Sequence, residues 1–229
     1  KPPAMPGPKS AFVKTGLTMT GMPVDDEGMC WEGLRAPSPT LIFTSPSHQF
    51  PCGSVLSARR RLALLELARQ HNAWIIEDDY DSEFRYAGEP VPAMLGMVNN
   101  APVVYLGTFS KTLFPSLRMG FMVLPPALAK ASRAAIGSLL RGGHRAEQRT
   151  LALFIEEGHY ARHLAAMRRL YRKRYRQLRE ALSTALHTPH RILAGEGGMH
   201  LTVTINGIDD QRLVEKARAF QLAPAALSG

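Results

Sequence analysis

The chain has 229 residues, 45% of them hydrophobic and 21% charged, with a formal net charge of +9. That size and balance fit one large or two small globular domains and exclude a disordered or fibrous chain. No apolar run approaches the roughly 20 residues of a membrane span, and no charged-then-apolar leader opens the chain, so a soluble, cytoplasmic protein is expected. Cys30 and Cys52 are the two cysteines, too few for a disulfide framework and without metal-ligand spacing, which points to a reducing compartment and away from structural zinc. The chain begins at Lys1 and stops at Ser228-Gly229 just after the apolar stretch QLAPAAL, so a fragment truncated at both ends is expected.

Residues 1–38 are rich in proline, glycine and methionine, and AFVKTGLTMTGMPVDDEGM suggests a short helix, a strand and a turn. TLIFT (40–44) is a short β-branched strand, and SPSHQFPCG after it is a turn-rich loop. Ser57 caps a predicted helix that runs to about His71, with Leu62, Leu65 and Ala68 inward. AWIIED (73–78), VVYL (103–106) and MGFMVL (119–124) are further apolar strands. Such strands, separated by a helix or a long connection, predict a mostly parallel sheet covered on both faces. After Pro125-Pro126 the pattern turns helical over 127–140, 145–157 and 159–186, and MHLTVTI (199–205) alternates like a half-exposed strand before a helix over 209–220. The expected architecture is α/β, a three-layer large domain with part of a smaller α+β domain that begins near residue 180.

Most of the excess charge sits in ARHLAAMRRLYRKRYRQLRE (161–180), where Leu164, Met167, Tyr171, Leu178 and then Leu182 recur at helical spacing. One face of this helix is therefore buried, and a solvated basic face is favoured over a DNA-binding one. His159 and His163 lie four apart, but Tyr160 stands where the H-E-x-x-H metal pattern needs glutamate, and no third ligand is evident. A structural role is expected of both, and no metal site.

In open α/β sheets the ligand crevice lies beyond the carboxyl ends of the strands. Three such ends carry polar loops here, Ser45 to Gly53, Glu77 to Tyr80 and Gly107 to Lys111. A phosphate-loop role for Lys111 fails, because Tyr105 and Ser110 stand where G-x-x-x-x-G-K needs glycines and Pro115 interrupts a following helix. An unpaired ammonium in an apolar loop after a buried strand is costly, which makes Lys111 a candidate amine nucleophile.

IIEDDYDSEFRY followed at this distance by GTFSKTLFPSLRMGF resembles the effector domain of the MocR subfamily of GntR-type bacterial transcription regulators, a domain related to fold-type I aminotransferases. PSHQFPCG, FIEEGHYARHLAAMRRLY and GGMHLTV extend the resemblance over nearly the whole chain. It implies that pyridoxal 5'-phosphate is held as a Schiff base on Lys111. It further implies that Asp78 pairs with the pyridine nitrogen, Tyr80 meets the ring's phenolic oxygen, and Thr108, Ser110 and Arg118 hold the phosphate. His48 is a candidate ring-side contact, in a loop where aminotransferases present an asparagine within N-P-T-G; here the sequence is Phe50-Pro51-Cys52-Gly53. The GGMH segment is expected to serve as a backbone turn of the small domain.

On this reading residues 1–180 belong to the cofactor-binding large domain and 181–229 to the small one. The resemblance implies a homodimer, an amine or amino acid effector, and DNA contact only through an N-terminal winged-helix domain outside this sequence. A stand-alone aminotransferase acting on an amino acid is the rival, and a structural domain without cofactor a third reading.

Overall fold

A computed structural model describes residues 6–32, 38–89, 91–140, 143–193 and 197–227. The chain ends, Lys1 and Ser228-Gly229, lie outside the described residues. Helix α1 spans Pro6–Lys14, and the strand expected after it is a small antiparallel hairpin, β1 (Val24–Asp25) with β2 (Gly28–Met29).

The central sheet has four strands in the order β3 (Leu41–Thr44), β4 (Trp74–Asp79), β5 (Val103–Thr108) and β6 (Gly120–Val123). The first three are parallel, with Ile42 beside Ile75 and Ile76 beside Val104. β6 returns antiparallel along β5, Gly107 facing Phe121. A parallel return needs a long crossover, supplied between β3 and β4 by helix α2 (Ala58–Gln70). The connection of residues 109–119 holds only a short turn at Pro115–Leu117, so the fourth strand folds back on its neighbour.

Ser57 caps α2 as expected, its Oγ accepting the Arg60 N–H at 3.3 Å. The inward face is Arg61, Leu64, Leu65 and Ala68, the i, i+3, i+4, i+7 stripe of a helix on a core. Leu62, expected inside, is 47% exposed. Hydropathy could not select a stripe that contains an arginine. Leu64, Leu65 and Ala68 pack with Ile42, Ile75 and Val103 of three successive strands, and with Leu56, Ala73, Met94 and Ala101.

Arg61 is fully buried in this layer. Its Nε donates to the Leu56 carbonyl, Nη2 to Pro46 and Nη1 to Pro92, each at 2.9 Å, with Nη1 3.6 Å from Glu77 Oε1. Glu77 in turn accepts the Met94 and Leu95 N–H groups at 3.1 and 3.4 Å. Burying a charge without such partners would be prohibitive. The network ties the loop after β3 to the end of β4.

Helices α3 (Pro126–Leu140), α4 (Arg145–Glu156) and α5 (His159–Ala185) follow. On α5, Tyr171 meets Phe84 edge-on at 5.1 Å and Tyr175 meets Tyr86 at 5.3 Å, while Leu178, expected in the seam, is 49% exposed. The last elements are an antiparallel pair, β7 (His190–Leu193) with β8 (Thr202–Ile205), and helix α6 (Asp210–Arg218) capped by Asp209. β7 was not foreseen, and β8 starts later than its alternating pattern suggests because residues 197–200 are engaged elsewhere. Among the described residues no helix is long and apolar enough to cross a membrane.

Candidate functional site

The parallel register of β4 and β5 brings two polar strand ends side by side, with Asp78 paired to Leu106 and Asp79 to Gly107. Thr108 closes β5, and Phe109 through Arg118 form the loop that returns to β6. The loop hugs the sheet edge. Phe109 N–H donates to Met119 O at 3.0 Å, Leu113 N–H to Phe109 O at 2.9 Å, and Ser110 N–H to Thr108 Oγ1 at 3.1 Å. A Cβ on Gly107 would stand 2.3 Å from the Phe121 ring, so a side chain there would have to displace that ring.

The two adjacent aspartates have different roles. Asp79 accepts hydrogen bonds from Tyr105 Oη at 2.6 Å and from the Ser82 hydroxyl at 2.7 Å, so it anchors the turn after β4. Asp78, half-buried on the opposite side of the strand, has no hydrogen-bond or ion-pair partner among the described residues. Burial, then the charges of Asp79 and Asp81, raise its carboxyl from 3.8 to about 6. It is an acid in want of a cation or a strong N–H donor.

Tyr80 is buried, and its hydroxyl donates to the His48 carbonyl at 2.8 Å. Burial first, then Asp81, push its phenol above the ordinary range. Thr108 and Ser110 are half-buried, whereas Lys111 and Arg118 are exposed. The desolvation expected of Lys111 is therefore not present here: its loop packs Thr112 inward and leaves Lys111 at the surface. Arg118 sits in the left-handed region at φ 51°, at the end of the Pro115–Leu117 turn.

His48 is engaged more deeply than a ring-side contact would be. Its side chain is 4% exposed, and Nδ1 lies 2.9 Å from Oδ2 of Asp81, which is 1% exposed. A carboxylate only accepts, so Nδ1 donates its proton to Asp81, while Nε2 has no partner among the described residues. The His200 ring covers that of His48 at 4.4 Å, and its Nε2 donates to the Pro51 carbonyl at 3.2 Å. Burial, then His48, hold the His200 imidazole below its ordinary value.

The GGMH segment thus does more than turn the chain within a small domain. Gly198 N–H donates to Phe84 O at 2.9 Å, Met199 N–H to Asp81 Oδ2 at 3.2 Å, and Tyr86 Oη to Gly198 O at 3.0 Å. A Cβ on Gly198, at φ 83°, would lie 1.9 Å from His48 Cε1. Asp81, Gly198 and His200 were missed as site residues, although the motifs DDYDSEF and GGMH that contain them were visible; only folding brings positions 48, 81 and 200 together. Of the two histidines four apart on α5, His163 Nε2 donates to Thr112 O at 2.9 Å and His159 Nε2 lies 3.2 Å from Glu157 at the surface.

Residues 25–223 match the family described as aminotransferase class I and II. The chain is 36% identical over 99% of its length to the HTH-type transcriptional regulator YdeL of Bacillus subtilis, of which it spans 50%. It is 45% identical over 73% of its length to the probable rhizopine catabolism regulatory protein MocR of Rhizobium meliloti, of which it spans 34%. Among solved structures, LysN, the alpha-aminoadipate aminotransferase of Thermus thermophilus, superposes with a TM-score of 0.85 at 27% identity, covering 97% of this chain and 59% of that one. The mixed sheet, the polar strand ends and a match across most of the sequence agree: the chain belongs to the aminotransferase class I and II family and is similar, over a third to a half of their length, to helix-turn-helix regulators of the MocR kind.

Proposed function

We propose that this chain is the pyridoxal-phosphate-binding, aminotransferase-like effector part of a longer MocR/GntR-type transcription regulator. The observation that carries the reading is Asp78, a half-buried carboxylate without a partner among the described residues, one strand away from Thr108, Ser110 and Lys111. When bound, pyridoxal phosphate supplies an aldehyde that captures amines and a ring that withdraws electrons from them.

The residues present suit that group. Asp78 offers its carboxylate to a ring N–H, which relieves an otherwise uncompensated charge. Lys111 Nζ is the amine for covalent attachment, and Thr108, Ser110 and Arg118 hold the phosphate with hydroxyl and guanidinium donors. Tyr80, fixed by the His48 carbonyl, presents its phenol beside the ring, and His48 acts from behind Tyr80. LysN was crystallised in complex with N-(5'-phosphopyridoxyl)-L-leucine, which supports the cofactor class.

Residues 1–180 would belong to the cofactor-binding unit and 181–229 to a smaller one, docked on it through Gly197–His200. A homodimer, an amine or amino acid effector, and DNA contact through a helix-turn-helix segment elsewhere in the protein complete this reading. An effector amine that exchanges with Lys111 makes different contacts in the two states, the condition for a ligand-driven switch.

The test uses the full-length protein with added pyridoxal phosphate, reduced by borohydride and mapped by mass spectrometry. The adduct is expected on Lys111 and lost in Lys111→Ala; an unchanged level in that variant refutes the assignment. Turnover of amino acids to oxo acids, with no effect of ligand on DNA binding, would favour the stand-alone aminotransferase.

A further inference from the structure

Helix α5 carries seven arginines and one lysine, with Glu180 as its single acid. Its inner side rests on aromatic contacts, Tyr171 with Phe84 and Tyr175 with Tyr86, and Arg168 donates from Nε to the Glu83 carbonyl. The outer side is a row of four cations, Arg169, Arg172, Lys173 and Arg176, at i, i+3, i+4 and i+7. At 1.5 Å per residue the row is about 10 Å long. All four side chains are exposed, and none makes a hydrogen bond or an ion pair among the described residues.

A helix face that meets only water is usually laced with opposite charges four residues apart, which support the helix. On α5 the pairs at that spacing, Arg169 with Lys173 and Arg172 with Arg176, are alike and repel each other. An anion lying along the row removes that repulsion. An apolar part of the longer protein is a poor occupant, because stripping water from four unpaired cations is costly. The four follow one another along the helix axis, which suits an extended polyanion better than a small one. Duplex DNA carries one charge per about 1.7 Å of its axis, and guanidinium forks match phosphate oxygens.

We propose that Arg169, Arg172, Lys173 and Arg176 form a sequence-independent contact to the phosphate backbone of duplex DNA, additional to that of the helix-turn-helix segment. The inference rests on the regulator reading above, which supplies DNA as the polyanion. The sequence favours a solvated face for this helix; the unpaired row of like charges is what argues for a bound one. Phe84, which Tyr171 meets, lies in the turn that follows Asp78 and Tyr80, so the DNA contact and the proposed cofactor site share a support.

The test is fluorescence anisotropy of the full-length protein on mixed-sequence duplex DNA over a salt series. A variant with Arg169→Gln, Arg172→Gln, Lys173→Gln and Arg176→Gln is expected to bind about tenfold or more weakly at low salt. Its slope of log affinity against log salt is expected to fall by about 2–4, close to one per lost phosphate contact. Glutamine is a good helix former and all four sites are exposed, so the fold is retained, and thermal unfolding checks it. Arg169→Lys, Arg172→Lys and Arg176→Lys together keep the charges and are expected to keep the slope. A control that removes four exposed cations elsewhere, Lys130→Gln, Arg133→Gln, Lys216→Gln and Arg218→Gln, is expected to bind as the parent does. Parent-like affinity and slope in the first variant overturn the proposal, as does an equal loss in the control, which would reduce the effect to net charge. Loss of binding to vesicles of anionic phospholipid, with DNA binding unchanged, would also overturn it and make the row a membrane contact. If the parent binds no DNA, the regulator reading fails as well; if it binds and only the row proves silent, this inference fails alone.

Discussion

Replacement of Arg61 tests whether the buried ion pair organises the site. Arg61→Ala removes three hydrogen bonds to the Leu56, Pro46 and Pro92 carbonyls and strips Glu77, fully buried, of its cation 3.6 Å away. Removing one partner of a buried pair costs about 3–5 kcal/mol. Two features limit the loss to that range. Glu77 keeps its bonds from Met94 and Leu95, and its carboxyl, already raised by burial, can take up a proton. Arg61→Met refills most of the volume but leaves the same acceptors bare, so it is expected to cost nearly as much. Adding Glu77→Gln removes the stranded charge, and the double variant is expected to be less destabilised than the two single losses together by about 1 kcal/mol or more. Urea unfolding of the protein and its variants, with the midpoint and slope read together, gives these values. An Arg61→Ala loss below about 1 kcal/mol with an unchanged slope, or strict additivity in the double variant, would refute the pair as the organiser of these loops.

Asp78 has a folded-state value of about 6 against an ordinary 3.8, so the stability it contributes is complete below about pH 4 and falls as pH rises toward 6. The full shift corresponds to about 3 kcal/mol, and partial solvent access reduces it to about 1–2 kcal/mol. Asp78→Asn is therefore expected to stabilise the cofactor-free protein above pH 6, to match the parent below pH 4, and to weaken cofactor binding; identical pH–stability curves would contradict this account. Gly198→Ala places a Cβ 1.9 Å from the buried His48 ring at φ 83°. A loss of about 2–4 kcal/mol is expected from strain and displaced contacts, and an unchanged Tm would show that GGMH is not seated on His48.

Much of this protein is written locally. The apolar runs around Ile42, Ile75 and Val103 have one burial-compatible structure each, and Ser57 and Asp209 are caps because their side chains satisfy nearby N–H groups. The proposed cofactor contacts Asp78, Tyr80, Thr108, Ser110, Lys111 and Arg118 are legible because they lie within two short motifs, and parallel pairing of β4 and β5 brings Asp78 and Asp79 beside Leu106 and Gly107. The direction of β6 was not local. It followed from a short connection that leaves no room for a crossover.

What only the tertiary structure decided involves polar groups whose partners are far away in sequence. Arg61 is inside because three carbonyls and Glu77 receive it, a fact no hydropathy pattern carries. Asp79 anchors the turn while its neighbour Asp78 stays unpartnered among the described residues, since successive residues of a strand face opposite ways and meet different surroundings. His48, Asp81 and His200 are separated by tens to more than a hundred positions, and each taken alone is an ordinary polar residue. Their common burial, with Gly198 leaving room for the His48 ring, makes them a cluster, because desolvation acts on neighbours in space whatever their order along the chain.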